Sequence, residues 1–92
     1  MVNVLLIYDI AHDGARTKVA NLCLDYGLDR IQYSAFMGRL SRTHQEELLL
    51  KIEKKVGKRR ADVRLIPICA KDWAAQLKLA NEQPDEEPKA DS

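Results

Sequence analysis

An α+β fold, in which two helices cover one face of an antiparallel sheet, is the class that this 92-residue sequence predicts. The first observation behind it is the order of the patterns, because short apolar runs typical of strands alternate with two stretches at helical spacing. The second is the length, which is that of one small domain. The order strand, helix, strand pair, helix, strand is the split-βαβ, ferredoxin-like pattern βαββαβ.

The first strand is predicted over Val2 to Ile10. Its run from Val4 to Ile7 is apolar throughout and too short for a helix, which indicates a strand buried on both faces. The strand ends in Tyr8 and Asp9. A carboxylate at the end of a buried strand has to be paired, hydrogen-bonded or bound to a cation. The alternative is that Asp9 serves only as a turn-former or a helix cap.

The first helix is predicted to have Asp13 as its N-cap and Gly27 as its left-handed stop. Its apolar face consists of Val19, Leu22, Cys23 and Tyr26. Arg16 falls in the first turn, where the helix dipole favours anions rather than cations. Arg16 is therefore either a solvated side chain that pairs with Asp13, or an arginine placed with the free backbone N–H groups to meet a phosphate.

The segment from Arg30 to Leu40 reads as one long strand or as two strands. A bulge or tight bend would split it, although no Gly or Pro before Gly38 marks a turn. If it is extended, a face suited to packing under a helix holds Ile31, Tyr33, Ala35 and Met37. The opposite, polar face holds Arg30, Gln32, Ser34 and Phe36. Phe36 would there stack on a base or anchor a partner, unless edge packing or a bend turns it inward.

The second helix is predicted to open with the capping box Thr43 to Glu46 and to close at Gly57. Its buried stripe comprises Leu48, Leu49, Ile52 and Val56. The end of this helix and the loop after it form a basic run, namely Lys51, Lys54, Lys55, Lys58, Arg59 and Arg60. Such a run is most often a solvated helix face. It is also the densest basic patch of the sequence, which makes it the best candidate for phosphate contact.

The last predicted core strand runs from Asp62 to Cys69, with Pro67 near a sheet edge or strand end. The apolar residues from Lys71 to Ala80 fit neither the helical nor the strand spacing well. We interpret this segment as a helical turn followed by a short strand, Gln76 to Ala80. The domain is expected to span residues 1–82. Residues 83–92 are acidic and contain two prolines, so this tail is predicted to be disordered.

Charge and composition narrow the possible partners. Residues 84–92 hold four carboxylates and one lysine, which gives this segment a charge of −3. Because the whole chain carries +1, the rest of it carries +4. A charge of that sign is compatible with a polyanionic partner. No signal peptide or apolar run of membrane length is seen, so we expect a cytoplasmic protein with no membrane partner. Cys23 and Cys69 lack metal-ligand spacing and are expected to be buried reduced thiols. The sheet face without helices is a natural surface for a homodimer.

Several of these features together resemble one protein family. They are Tyr8-Asp9-Ile10 closing the first strand, Arg16, Gly27, the run Arg30 to Phe36, Leu40-Ser41 and the run Val63 to Ile68. The resemblance is to the CRISPR-associated Cas-two family, the smaller of the two core spacer-acquisition proteins, and it covers residues 1–69.

This resemblance implies a ferredoxin-like homodimer, in which a last short strand, here Gln76 to Ala80, crosses to complete the partner's sheet. It implies metal-dependent cleavage of RNA or DNA and a bridging role to the larger CRISPR acquisition integrase. Asp9 matches the family's metal-binding aspartate. The positions linked to activity are matched by Tyr8, Arg16, Arg30 and Phe36. Lys18 stands where some members have a second arginine, and lysine lacks the guanidinium fork.

Two functional hypotheses follow. In the first, Asp9 and the Asp9 of a second copy hold one Mg²⁺ together with waters and substrate phosphate oxygens, and Arg16 or Arg30 stabilises phosphoryl charge. In the second, the protein is a non-catalytic adaptor that binds duplex DNA and the integrase. Asp9 is then only structural, and the Lys51 to Arg60 region and the strand arginines matter instead. Nucleic-acid contacts are expected at Arg16, Lys18, Arg30, Lys58, Arg59 and Arg60.

Overall fold

The computed structural model describes residues 1–81, and the predicted acidic tail at 83–92, like the domain limit at 82, lies outside them. Within these residues the predicted α+β fold is confirmed. The elements are β1 (Val2–Ile10), α1 (Asp13–Asp25), β2 (Asp29–Gln32), β3 (Ala35–Leu40), α2 (Arg42–Val56), β4 (Ala61–Ile68) and α3 (Ala70–Ala74).

The sheet has the strand order β2-β3-β1-β4, with every neighbouring pair antiparallel. β1 is therefore central, and Leu6 lies opposite Phe36 on one side and Leu65 on the other. β4 forms one edge of the sheet. Pro67, which has no N–H for a ladder, lies in this edge strand, as the sequence predicts.

The core lies between the sheet and the two long helices, which pack against each other. From β1 it takes Val4, Leu6, Tyr8 and Ile10, whereas the alternate residues of the strand are partly or fully exposed. The prediction that β1 is buried on both faces is thus wrong for the single chain. The reason is that α1 and α2 cover the same face, and the strand alternates between that face and the open one.

Of the two alternatives for residues 30–40, the split into two strands is confirmed, because a turn at Tyr33–Ser34 separates β2 from β3. Because the chain reverses there, the faces expected for a single extended strand do not apply. Phe36 is fully buried, while Tyr33 is 68% exposed and Ile31 is 47% exposed. The alternative, in which a bend turns Phe36 into the core, is therefore confirmed.

The predicted glycine stops of both helices are confirmed, because Gly27 has φ +82° and Gly57 has φ +59°. The helix starts differ from the prediction. His12 caps α1 by accepting a hydrogen bond at Nδ1 from the Ala15 N–H (3.0 Å), which leaves Asp13 inside the first turn. Ser41 rather than Thr43 caps α2, its Oγ accepting from the His44 N–H at 3.1 Å.

Two other packing predictions are corrected. Leu49 is 42% exposed, and Gln45 occupies the buried stripe instead, where its amide donates to the Leu40 carbonyl at 3.3 Å. Cys23 is buried, but Cys69 is exposed because it precedes α3 at the end of the edge strand. Both thiols are free, as predicted.

Within the described residues, the chain after β4 adds no further strand to the sheet. The predicted strand Gln76 to Ala80 is not formed within the single chain, which has no regular structure there after α3. Leu77 and Leu79 are each 98% exposed. No helix described within residues 1–81 is long and apolar enough to cross a membrane.

Candidate functional site

Asp9 lies near the end of the central strand with its side chain on the open face of the sheet, and it is exposed. Within residues 1–81 its carboxylate has no hydrogen bond and no ion pair. Of the three expected states of Asp9, pairing and hydrogen bonding are thus not found in the single chain, because the group is exposed to water, and binding to a cation stays a prediction. An unpaired carboxylate at this position is available to bind a cation.

Asp62 of β4 lies directly opposite Asp9 in the ladder. Like charges at opposed positions of an antiparallel pair repel each other. Arg64 offsets this charge, because its Nε and Nη2 donate to the two carboxylate oxygens of Asp62 at 3.0 and 3.2 Å. The hydrogen bond and the charge of Arg64 lower the pKa of Asp62 below its usual value. No local pattern indicates this neighbour, since strand register decides it.

A cavity of about 460 Å³ lies at this end of the sheet, and its lining includes Asp9, Asp62 and Arg60. The structure thus brings one member of the predicted basic run beside the candidate metal ligand. Lys58 and Arg59 belong to the same exposed loop between α2 and β4, but they do not line this cavity. The loop part of the basic run is therefore divided, with Arg60 in the lining of the cavity and Lys58 and Arg59 outside it.

Arg16 anchors the loop that follows β1. Its Nη1 donates to the carbonyl oxygens of Ile10 (2.8 Å) and Ala11 (3.2 Å), and its Nη2 pairs with Asp13. The predicted local pairing with Asp13 is thus confirmed. The nearby side chain of Tyr33, and then the bond to Asp13, raise the pKa of Arg16.

Arg30 fixes the turn between β2 and β3. Its Nε and Nη2 donate to the backbone carbonyl of Tyr33 at 3.0 and 2.6 Å. The guanidinium carbon lies 5.0 Å from the centre of the Tyr33 ring, and that of Arg16 lies 5.8 Å from the same centre. These distances are those of cation–π contacts. Arg16, Arg30 and Tyr33 form what we call the arginine–tyrosine cluster.

Tyr8 and Phe36 form the floor beneath this cluster. Both rings are buried, with their centres 6.2 Å apart and their planes at 24°. The Arg30 guanidinium carbon lies 5.4 Å from the centre of the Phe36 ring. Burial is the main reason why the pKa of Tyr8 is raised. Because both rings are covered, they support Arg30 and the turn rather than face the solvent.

The cluster and Asp9 lie at one end of the sheet but on different sides of it. Alternation along β1 directs Tyr8 towards the helices and Asp9 towards the open face. The two sides are linked at the backbone, because the Tyr8 N–H donates to the Ser34 carbonyl at 3.1 Å. The sequence pattern placed Tyr33 on a packing face and did not mark it as a site residue.

Most of the chain matches one known protein family. The family model described as CRISPR associated protein Cas2 matches residues 1–76 of the chain. The chain belongs to the Cas2 family. This agrees with the resemblance found in the sequence and extends it beyond residue 69.

Individual Cas2 relatives show how close the likeness is. A "CRISPR-associated endoribonuclease Cas2 2" of Chloroflexus aurantiacus is 49% identical over 81 residues, covering 88% of this chain and 95% of that protein. A "CRISPR-associated endonuclease Cas1/endonuclease Cas2 fusion" of Thermoproteus tenax is 32% identical over 88% of this chain, which spans 31% of the fusion. The crystal structure of Streptococcus pyogenes Cas2 has a TM-score of 0.70 at 21% identity, covering 86% of this chain and 99% of that one, and so shows the shared fold.

The donor set of this Cas2 family member suits Mg²⁺ only in part. Within the described part of the chain, no group of three or more His, Cys, Asp or Glu side chains could hold a metal by itself. Asp9 and Asp62 supply the carboxylates that line the cavity, and the Asp62 carboxylate already accepts a hydrogen bond from Arg64. Mg²⁺ commonly takes one or two carboxylates and completes its shell with water and substrate phosphate. The residues present therefore fit an ion that is completed by substrate or by a second copy.

Lys18 is exposed on α1, two positions beyond Arg16. Side chains two residues apart on a helix point to different sides, so the structure does not bring Lys18 into the arginine–tyrosine cluster.

Proposed function

We propose that this Cas2 family member acts in CRISPR spacer acquisition as a metal-dependent endonuclease that hydrolyses phosphodiester bonds of RNA or DNA. The observation that carries the proposal is the exposed Asp9 carboxylate. It is unpaired within residues 1–81 and lies across from Asp62 in a cavity that Arg60 also lines. The names of curated relatives, endoribonuclease and endonuclease, support the same reaction class.

In this proposal Asp9 is the metal ligand, together with the Asp9 of a second copy. A bound Mg²⁺ would polarise the scissile phosphate and lower the pKa of a water. Arg60 would bind a phosphate oxygen at the cavity. Arg30 would reach a neighbouring phosphate with the N–H groups that it does not use on Tyr33. Tyr8 and Phe36 would act by positioning Arg30, since both rings are buried.

We further propose that the protein acts as a homodimer. The open face of the sheet carries Leu5 opposite Met37 and Ile66, an apolar centre that neither α1 nor α2 covers. Leu77 and Leu79 are almost fully exposed in the single chain. Apolar side chains at both places would be buried if Gln76 to Ala80 paired with the sheet of a second copy. In the sheet of residues 1–81, β4 is an edge strand that could accept this segment.

The larger partner is proposed to be Cas1, because one relative is a fusion of Cas1 and Cas2. The loop from Lys58 to Arg60 would contact the nucleic acid that the two proteins share. A cytoplasmic location stays a prediction from the sequence.

A non-catalytic adaptor is the second candidate. It is favoured by the sparse set of metal donors within the described residues and by the position of Lys58 and Arg59 outside the cavity. In that case the bridge between DNA and Cas1 would be the whole function, and Asp9 would not be needed for it.

The deciding experiment compares wild type with Asp9→Ala, and with Asp25→Ala as a matched control at an exposed aspartate of α1. Each is assayed for cleavage of labelled RNA and DNA in Mg²⁺ and in EDTA, and for spacer acquisition in cells. We expect only Asp9→Ala, or EDTA, to abolish cleavage. Full cleavage by Asp9→Ala would reject the metal site. Loss of cleavage with unchanged acquisition would favour the adaptor role in the cell.

A further inference from the structure

We propose that the Tyr33 ring is a stacking platform for an unpaired nucleobase of the strand that Asp9 acts on. This inference rests on the proposed function in taking a nucleic acid as the substrate and Asp9 as the site that acts on it. It adds a base-binding residue on the other side of β1 and a preference for unpaired over paired bases.

Exposure is the first observation. Tyr33 is 68% exposed at the tip of the turn between β2 and β3, whereas Tyr8 is 5% exposed and Phe36 is fully buried. A single exposed aromatic residue is common on protein surfaces and does not by itself indicate a binding site. What distinguishes Tyr33 is how firmly the surroundings hold it.

The turn that carries Tyr33 is fixed by hydrogen bonds. Its carbonyl accepts two bonds from Arg30, and the Tyr8 hydroxyl lies 3.5 Å from the same oxygen. The next residue, Ser34, accepts from the Tyr8 backbone N–H. The ring is therefore presented from a rigid support, so little conformational freedom is lost when a ligand stacks on it.

The surrounding charges suit a nucleotide. Two guanidinium groups lie within 6 Å of the ring centre, at 5.0 and 5.8 Å. A guanidinium has five N–H donors, and Arg30 uses two of them on the Tyr33 carbonyl, so donors remain for a phosphate. Sites for single strands combine an aromatic face for the base with cations for the backbone, and this is the combination present here.

The place of Tyr33 in the sheet relates the proposed stacking platform to Asp9. The turn lies at the same end of the sheet as Asp9, because Tyr8 bonds to Ser34 and precedes Asp9 in the chain. A strand that passes around the end of β1 with one phosphate at Asp9 would have a neighbouring base at Tyr33. Bases inside a duplex are already stacked, so this contact requires an unpaired base.

The test measures binding in EDTA, so that neither metal nor cleavage enters the result. Dissociation constants are compared for single-stranded RNA, single-stranded DNA and blunt duplex DNA, each single strand carrying 2-aminopurine as a fluorescent base. The variants are Tyr33→Leu, which removes the ring, and Tyr33→Phe, which keeps the ring but loses the hydroxyl. Ile31→Ala is the control, since it is 47% exposed on the same hairpin. Sedimentation and thermal melting check dimer and fold.

We expect Tyr33→Leu to weaken single-strand binding roughly 5- to 150-fold, the range that one stacked base provides. It should also abolish quenching of 2-aminopurine, while duplex binding changes little. Tyr33→Phe and Ile31→Ala should behave like wild type. The RNA and DNA arms identify which strand supplies the base.

The proposal is overturned if Tyr33→Leu binds single strands as wild type does, or if RNA, DNA and duplex are weakened equally. It is also overturned if the weakening follows dissociation of the dimer, because Tyr33 would then be a protein contact. Failure of the nuclease proposal looks different. Wild type would bind single strands through Tyr33 in EDTA and still not cleave them in Mg²⁺.

Discussion

Asp9 and Asp62 lie directly opposite each other in the antiparallel ladder of β1 and β4, yet only Asp62 has a cationic partner in the described chain. Arg64 holds both oxygens of Asp62 and so removes much of the charge that would otherwise face Asp9. Asp9 is left as the carboxylate open to a cation. The two aspartates are therefore expected to respond differently to substitution.

The first prediction concerns this difference. Asp9→Asn should abolish metal-dependent cleavage, because it removes the unpaired charge while keeping the shape of the side chain. Asp62→Asn should reduce cleavage only a few-fold, since Arg64 already neutralises that carboxylate. Cleavage assays over a Mg²⁺ titration measure both effects. If the two variants lose activity equally, Asp62 is also a ligand and Arg64 must release it.

A second prediction concerns the pKa of Asp62, which Arg64 lowers. In Arg64→Gln this pKa should rise towards its ordinary value, as measured by NMR titration of the carboxyl carbon. A lowered folded-state pKa stabilises the protein above the unfolded pKa, and this contribution is lost as the pH falls through the folded value. The acid-induced loss of stability from Asp62 should thus be smaller in Arg64→Gln. An unchanged pKa in this variant would show that the pair does not form in solution.

A third prediction separates Arg60 from its neighbours. Replacing Lys58, Arg59 and Arg60 together by alanine should flatten the log–log salt dependence of duplex binding, by roughly one unit for each phosphate that the variant no longer neutralises. Arg60→Ala alone should also lower the cleavage rate, because Arg60 lines the cavity of Asp9. Lys58→Ala is the control that should alter binding but not cleavage. An unchanged salt slope in the triple variant would show that the DNA-binding surface does not include this loop.

A fourth prediction concerns the exposed leucines after α3. Leu77→Asp combined with Leu79→Asp should shift a dimer to monomer, because two charges would enter the proposed interface. Leu24→Asp is the control, since Leu24 is 49% exposed on α1. Sedimentation equilibrium at micromolar concentration measures the shift. A wild-type monomer with a cooperative melt would reject the dimer, and an unaffected double variant would reject the swapped segment.

Local features of the sequence were sufficient to predict the order of the elements and both glycine stops. The hairpin faces could not be decided between the two alternatives, because the turn at Tyr33–Ser34 contains no Gly or Pro. Once the chain reversed there, Phe36 and Tyr33 exchanged their expected environments. Asp62 could not be identified as the neighbour of Asp9, because register between strands distant in sequence is not a local property.

The last prediction concerns Phe36, which the family resemblance links to activity and the structure places in the core. Phe36 is fully buried, stacked near Tyr8 and beneath Arg30. Phe36→Ala should therefore lower the free energy of unfolding by about 3–5 kcal/mol, as is usual when a buried phenylalanine is truncated. Phe36→Leu should retain most of that stability, because leucine refills much of the space.

Urea unfolding at a fixed protein concentration measures both changes, and cleavage is then assayed at a temperature where each variant is folded. If Phe36 acts by supporting Arg30, Phe36→Leu should keep the dependence on Mg²⁺ and lose activity through weaker substrate binding. It should therefore raise KM more than it lowers kcat. A folded Phe36→Leu variant with normal substrate binding and no cleavage would mean that the ring takes part in the reaction. The conformation that cleaves would then have to expose it.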